Sequence, residues 1–255
     1  MPKKIIFSEN QIKNIIERYQ NGESCAKIGQ DYNVKQQTIN RLLHKNNVVV
    51  SNRKHQFNED YFKEIDSAEK AYWLGFITAD GYVNEDRNFM IIKLQERDKK
   101  HLEKFIQAIN GDMNMIKSQY HNITGNKQYY AEVNSKKFVN HLKNLNIRQA
   151  KSANEHVCKD KIPKEFIKDY IRGLWDGDGH IEEKRINLIS SSEVLQFVQE
   201  YFNKTCYIPI NKICNHCNTH RIFICKNREI ALHHIYYNNC IALDRKYNFV
   251  IEQYK

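Results

Sequence analysis

Apolar and polar positions recur with different rhythms along the chain. From Phe7 to Val48 the spacing is helical. Ser8 and Gln11 form a capping-box start, after which Ile12, Ile15, Ile16 and Tyr19 recur on one face until Asn21-Gly22 ends the run. A second helix fits Ser24 to Tyr32, with Ala26 and Ile28 turned inward and Asn33 at the following turn. A third fits Lys35 to His44. Its inward set is Ile39, Leu42 and Leu43, while Gln36, Gln37, Asn40, Arg41 and His44 face away.

Beyond a polar, basic stretch the pattern repeats. Residues 73–81 read WLGFITADG and residues 171–179 read IRGLWDGDG, each an apolar helical segment with an inner glycine that ends in Asp-Gly. The flanks match as well. Tyr72 or Tyr170 precedes, Tyr82-Val83 or His180-Ile181 follows, and then come a strand-like run (Phe89 to Leu94, Ile186 to Ile189) and a helix (Asp98 to Ile109, Ser192 to Phe202). Two further strands and a helix complete each unit, which closes on a basic cluster, Arg148 to Lys151 or Arg245-Lys246. This order predicts a duplicated α+β fold, each unit a sheet covered on one side. The expected division is 1–50 for the small all-α module, 51–58 for a linker, and 59–255 for the duplicated body, halved at about 160/161.

Charge narrows the partner. Lys plus Arg number 40 against 30 Asp plus Glu, a formal +10 over 255 residues, which suits a polyanion such as nucleic acid without naming it. The first residues, MPKKIIFSENQ, lack the apolar core of a signal peptide, and no run of apolar residues is long enough to span a bilayer. The expectation is a soluble protein acting on DNA in the cytoplasm of a bacterial or phage-infected cell, with no membrane partner. Seven cysteines spread over a long chain fit reduced thiols better than a disulfide framework.

The two nonapeptides resemble the LAGLIDADG signature, and KSANEHVCKDKIPKEFIKDYIRGLWDGDGHI is similar to the junction between halves in intron- and phage-encoded members of that homing endonuclease family. The resemblance covers roughly residues 68–250. It implies a pseudo-twofold pair of αββαββα units forming a DNA-binding β-saddle, preceded here by a segment, GESCAKIGQDYNVKQQTINRLL, that resembles the helix-turn-helix of resolvases. In that fold the motif helices pack together at Gly75, Gly173 and Gly177. Asp80 and Asp178 then meet as paired ligands for Mg²⁺, two or three ions shared with DNA phosphates. The first copy carries Thr78 where the signature has an earlier acid; Asp176 keeps it in the second. Lys151 and Lys246 match the family's peripheral catalytic lysines, with Arg148 and Arg245 as competing choices, and any of the four can instead serve only to grip the DNA backbone. Glu96 is either a water-positioning group or a solvated charge.

DNA reading is expected from strands at Lys117 to Tyr120 with Gln128 to Glu132, and Asn211 to Cys214 with Arg221 to Cys225, which place Lys117, Gln128, Lys212 and Arg221 on the saddle. In the front module Gln36, Gln37, Asn40 and Arg41 have the side chains that contact base edges. Cys214-x-x-Cys217, with Cys206, Cys225, His216 and His220 nearby, has zinc-ligand spacing, but the first unit has no counterpart and the CxxC falls at a hairpin turn, with its flanking cysteines at strand positions; no zinc is expected. The reading is a monomeric, Mg²⁺-dependent endonuclease that makes a double-strand break at a long asymmetric site. An intein is not expected, because the chain neither starts with a nucleophile nor ends in Asn. The alternatives are a catalytically dead DNA-binding regulator, against which both retained aspartates argue, and an RNA-splicing maturase, against which the duplex-reading front module argues.

Overall fold

In the computed structural model, residues 7–20, 23–48, 55–148, 157 and 159–253 are described. The chain divides into two compact units, 1–56 and 57–255.

The first unit holds three helices, α1 (Glu9–Gln20), α2 (Cys25–Asp31) and α3 (Gln36–Lys45). The capping box forms reciprocally: Ser8 N–H donates to Gln11 Oε1 (2.9 Å), and Gln11 N–H to Ser8 Oγ (3.3 Å). Arg18 pairs with Glu23 at 2.7 Å and also with Asp31, joining the three charges at the periphery. The core is Ile15, Tyr19, Cys25, Ile28, Ile39 and Leu43. Ala26 is exposed, contrary to the sequence expectation, because α2 turns Cys25, Ile28 and Gly29 inward instead. Gly29 lies against the turn to α3, where a Cβ would stand 2.8 Å from the Val34 carbonyl oxygen.

The second unit is the duplicated body. Its first half runs α4 (Ala68–Asp80), β1 (Gly81–Asn84), β2 (Phe89–Gln95), α5 (Lys99–Ala108), β3 (Ile116–Tyr120), β4 (Lys127–Asn134) and α6 (Lys136–Asn144). The second runs α7 (Ile167–Asp178), β5 (Gly179–Ile181), β6 (Ile186–Ser190), α8 (Ser192–Cys206), β7 (Cys214–His216), β8 (Thr219–Ile224) and α9 (Arg228–Ile235), then α10 (Asp244–Gln253). Both sheets are antiparallel with the same order, β1-β2-β4-β3 and β5-β6-β8-β7. Alternation sets the faces: Met90, Ile92, Leu94, Ala131 and Val133 are buried in one sheet, and Ile186, Leu188, Ile222 and Ile224 in the other. The opposite face of each sheet carries polar and aromatic side chains. This is the pseudo-twofold α+β architecture that the repeat predicts.

Several boundaries differ from expectation, two of them more than in length. Phe57 and Asn58, read as linker, belong to the body: Phe57 packs on its core and Asn58 N–H donates to the Ile109 carbonyl (2.7 Å). The third strand of the second half is Cys214–His216 rather than Asn211–Cys214, so Lys212 lies exposed in the irregular stretch before it. The hairpin turn at Cys217, with φ 50°, fixes this register.

Candidate active site and nucleic-acid interface

The site is built where α4 and α7 pack against each other. A Cβ on Gly75 would collide with the Tyr170 carbonyl oxygen, and one on Gly173 would lie 2.6 Å from the Phe76 nitrogen, so only glycine lets the two backbones come this close. The third glycine, Gly177, abuts Ala79, and its Cβ position is 3.5 Å from Asp80 Cγ. Asp80 and Asp178, the last residues of the two helices, therefore stand side by side, Asp80 exposed and Asp178 half-buried. After each, the chain enters a strand at once through an extended glycine, Gly81 (φ −78°) or Gly179 (φ −83°).

Behind the tips the halves differ. Tyr170, which precedes the second motif, donates to Thr78 of the first (3.4 Å); Tyr72, which precedes the first, donates to Asp176 of the second (2.8 Å). The cross-pairing obeys the twofold, yet one acceptor is a neutral hydroxyl and the other a carboxylate. Asp176 is fully buried and also accepts from Tyr236 Oη (2.6 Å) and Leu243 N–H (2.7 Å). Burial raises its pKa above the ordinary value, against the opposing pull of Lys246 and of those hydrogen bonds. Arg172, also fully buried, donates to the carbonyls of Ile241 (2.7 Å) and Ile235 (2.8 Å) and pairs with Asp169 at 2.8 Å. The sequence pattern assigns no role to Arg172, Asp169, Tyr236 or His101. An Asp and an Arg three residues apart on the otherwise apolar face of a motif helix were the available signal.

Lys246, expected at the reaction centre, is 5% exposed, and its ammonium donates to three carbonyl oxygens at the end of α7: Trp175 (2.6 Å), Asp176 (2.8 Å) and Gly179 (2.6 Å). The Trp175 carbonyl also accepts the Gly179 N–H, whereas those of Asp176 and Gly179 are among the ones a helix C-terminus leaves over, so Lys246 caps the backbone that presents Asp178. Burial, reinforced by Arg245, lowers its pKa to about 8, while Asp176, Asp80 and Asp178 oppose the shift. Lys151 lies outside the described residues. Arg148 is exposed at the end of the first half. Arg245 reaches Asp98 of the first half (3.3 Å), beside a Lys104–Asp244 pair at 2.5 Å. Glu96 pairs with Lys127 (3.2 Å).

Lys117 is exposed on β3; Gln128 and Arg221 are half-buried on β4 and β8. On α3, Gln36, Gln37 and Arg41 are exposed, whereas Asn40 is half-buried and its Oδ1 has no hydrogen-bond partner. Among the cysteines, Cys206 ends α8 and is buried, rather than lying on a strand, Cys214 is on β7, Cys217 is in the hairpin turn, and Cys225 follows β8. Among the described residues no three His, Cys, Asp or Glu side chains converge on a common point. No described helix is long and apolar enough to cross a membrane.

Residues 67–146 and 165–231, more than half of the chain, match the family described as a LAGLIDADG-like domain, and the protein belongs to that family. Its fold is shared by a homing endonuclease, I-DmoI, solved in complex with DNA and Ca, which is 18% identical with a TM-score of 0.50, covering 76% of this chain and 99% of that one. Full-length DUF199/WhiA from Thermatoga maritima aligns at 15% identity and a TM-score of 0.47, over 78% of this chain and 67% of that one. A curated relative, the replication factor C small subunit of Methanocaldococcus jannaschii, is 28% identical over 142 residues; the match takes in 54% of this chain and spans only 7% of the relative's length.

Proposed function

We propose that this protein is a site-specific endonuclease that makes a double-strand break in DNA by metal-dependent phosphodiester hydrolysis. The observation that carries the proposal is the placement of Asp80 and Asp178 at adjoining helix tips. Helix C-termini carry partial negative charge; Lys246 offsets it at α7, and the two carboxylates at the tips supply the charge for a cation site on a chain whose net charge is +10. The donors are hard oxygens, which suit Mg²⁺, and an ion held there would share its remaining positions with phosphate and water. Bound, such an ion supplies charge neutralisation at the phosphoryl oxygens and a more acidic water. The protein's own contribution is positional. The glycines fix the separation of the helices, and Lys246 fixes the end of α7.

The same reading makes the open faces of the two sheets the surface for a long asymmetric duplex and the front module a helix-turn-helix that adds grip through α3. The protein would act as a monomer, encoded by a mobile element and working in the cytoplasm. The I-DmoI complex with DNA and Ca supports DNA and a divalent cation as partners.

The test is cleavage of a randomised plasmid library in Mg²⁺. Asp80→Asn and Asp178→Asn keep the side-chain shape and remove the charge. Each is expected to lower cleavage by roughly a hundredfold or more while gel-shift affinity in Ca²⁺ survives. If either variant cuts both strands at the wild-type rate, that residue is no ligand. A wild type that enriches a site by binding but never cuts it would be a DNA-binding regulator instead.

A further inference from the structure

The two motif helices differ along one stripe. On α7, Asp169, Arg172 and Asp176 recur at the spacing of a single helix face, and all three are buried. The matching positions of α4 carry Ala71, Leu74 and Thr78, and Thr78 Oγ1 turns back to donate to the Leu74 carbonyl of its own helix (2.8 Å). Taking charges out of water is costly, and apolar residues serve packing at least as well, as α4 itself shows. The charged stripe answers a need of the second half.

That need is the segment 236–243, which joins α9 to α10 with neither helix nor strand and so leaves backbone groups without regular partners. Arg172 ties it at both ends, through the Ile235 and Ile241 carbonyls. Asp176 ties it through Tyr236 Oη and Leu243 N–H, and Asp169 accepts from Tyr237 Oη (2.6 Å). Lys104 adds one bond from the first half, to the Ala242 carbonyl (3.1 Å). The segment is thus a strap held across α7 by that helix's own side chains. Helix α10 starts at Asp244, directly after the last tie, and its Lys246 reaches back to the carbonyls of Trp175, Asp176 and Gly179. Contacts therefore run from the motif helix to the strap, on to Lys246, and back to the end of the same helix.

We propose that Arg172 and Asp176 are positioning residues that act through this strap: they hold Lys246 under the end of α7 and so fix Asp178 for hydrolysis of one DNA strand only. The inference rests on the reading of the protein as an endonuclease, in which the pseudo-twofold sets one scissile phosphate before each half. Neither side chain has a place at the tip itself, since both are buried and bonded to the strap. Asp80 ends a helix whose stripe carries no such ties. Loosening the strap moves the end of α7 and leaves the end of α4 where it was, so one strand slows and the other does not.

The experiment is strand-resolved cleavage in Mg²⁺ of a duplex bearing the site that the full-length wild type enriches, with the two strands labelled separately. The variants are Asp169→Ala/Arg172→Leu, Asp176→Thr and Tyr236→Phe. The first two install the residues that α4 has at the matching positions, and removing Asp169 together with Arg172 avoids leaving one buried charge alone. Tyr236→Phe takes away a single hydroxyl and serves if the others do not fold. A variant that merely folds less well loses both strands in proportion, so the ratio of the two nicking rates reports positioning and not the amount of folded protein. That ratio is expected to shift by on the order of ten- to a hundredfold in the first two variants, giving nicked product, and less but in the same sense in Tyr236→Phe. An unchanged ratio in the variants that fold, whether both strands slow together or neither does, would overturn the assignment while cleavage by the wild type stands. A wild type that binds its site and cuts neither strand would overturn the endonuclease reading, and this inference with it.

Discussion

His101 is buried among Tyr72, Trp73 and Phe76, with its Nε2 2.7 Å from Tyr72 Oη. Since Tyr72 gives its proton to Asp176, His101 must donate to the phenol oxygen, which leaves Nδ1 as the bare nitrogen; that atom has no partner. Burial, aided by the charges of Lys104, Arg245 and Lys246, pushes its pKa down to about 3. The unfolded chain takes up a proton near pH 6.5, whereas the folded one does not until about pH 3, so the stability this residue supports is present above pH 6.5 and is lost as pH falls through that window. His101→Gln keeps a donor for Tyr72 and removes the titration. Denaturant midpoints followed from pH 7 to pH 4 should fall less steeply in the variant than in the wild type, by on the order of 3 kcal/mol at the acid end. Parallel curves would mean that His101 is protonated in the fold. Neither this residue nor the capping role of Lys246 was legible in the sequence. Both depend on what is packed above them, and a lysine three carbonyls deep looks the same on paper as one reaching for a phosphate.

Helix pairing is where sequence and structure agree in most detail. The two nonapeptides name the paired helices, and their glycines name the contact, because a small residue repeated inside an apolar helical run has few other uses. Gly173→Ala tests this: its methyl would meet the Phe76 nitrogen at 2.6 Å and the Tyr72 carbonyl nearer still. The helices would have to part, at a cost of about 1–3 kcal/mol in thermal or chemical unfolding, with cleavage falling further than stability because the Asp80–Asp178 separation grows with the gap. A variant as stable as wild type would show that the contact is looser than described. Strand positions were less legible. The sequence placed the third strand of the second half at Asn211–Cys214 and a hairpin turn over Cys214–Cys217; the turn is there, but it is confined to the end of that segment at Cys217, so the strand runs on to His216.

At the scale of the whole molecule, residues 57–255 contain both halves, the paired aspartates and a continuous core, and residues 1–56 have a separate core of their own. Removal of residues 1–56 is therefore expected to leave the body folded and able to cut, with a shorter footprint and a shallower fall of log K with log salt, since fewer phosphates are neutralised. An unchanged footprint and slope would show that the front module does not touch DNA. The body itself cannot be divided in the same way. From Ala71 to Thr78, α4 is buried at every position, and much of that cover is α7, made nearly a hundred residues later. The final helix then reaches back across the molecule, where Lys104 holds the Ala242 carbonyl and Asp244. On the ribosome, the first half thus emerges with an oily helix that has no place to go until its twin is synthesised, and the newborn chain is at its stickiest midway through its own translation.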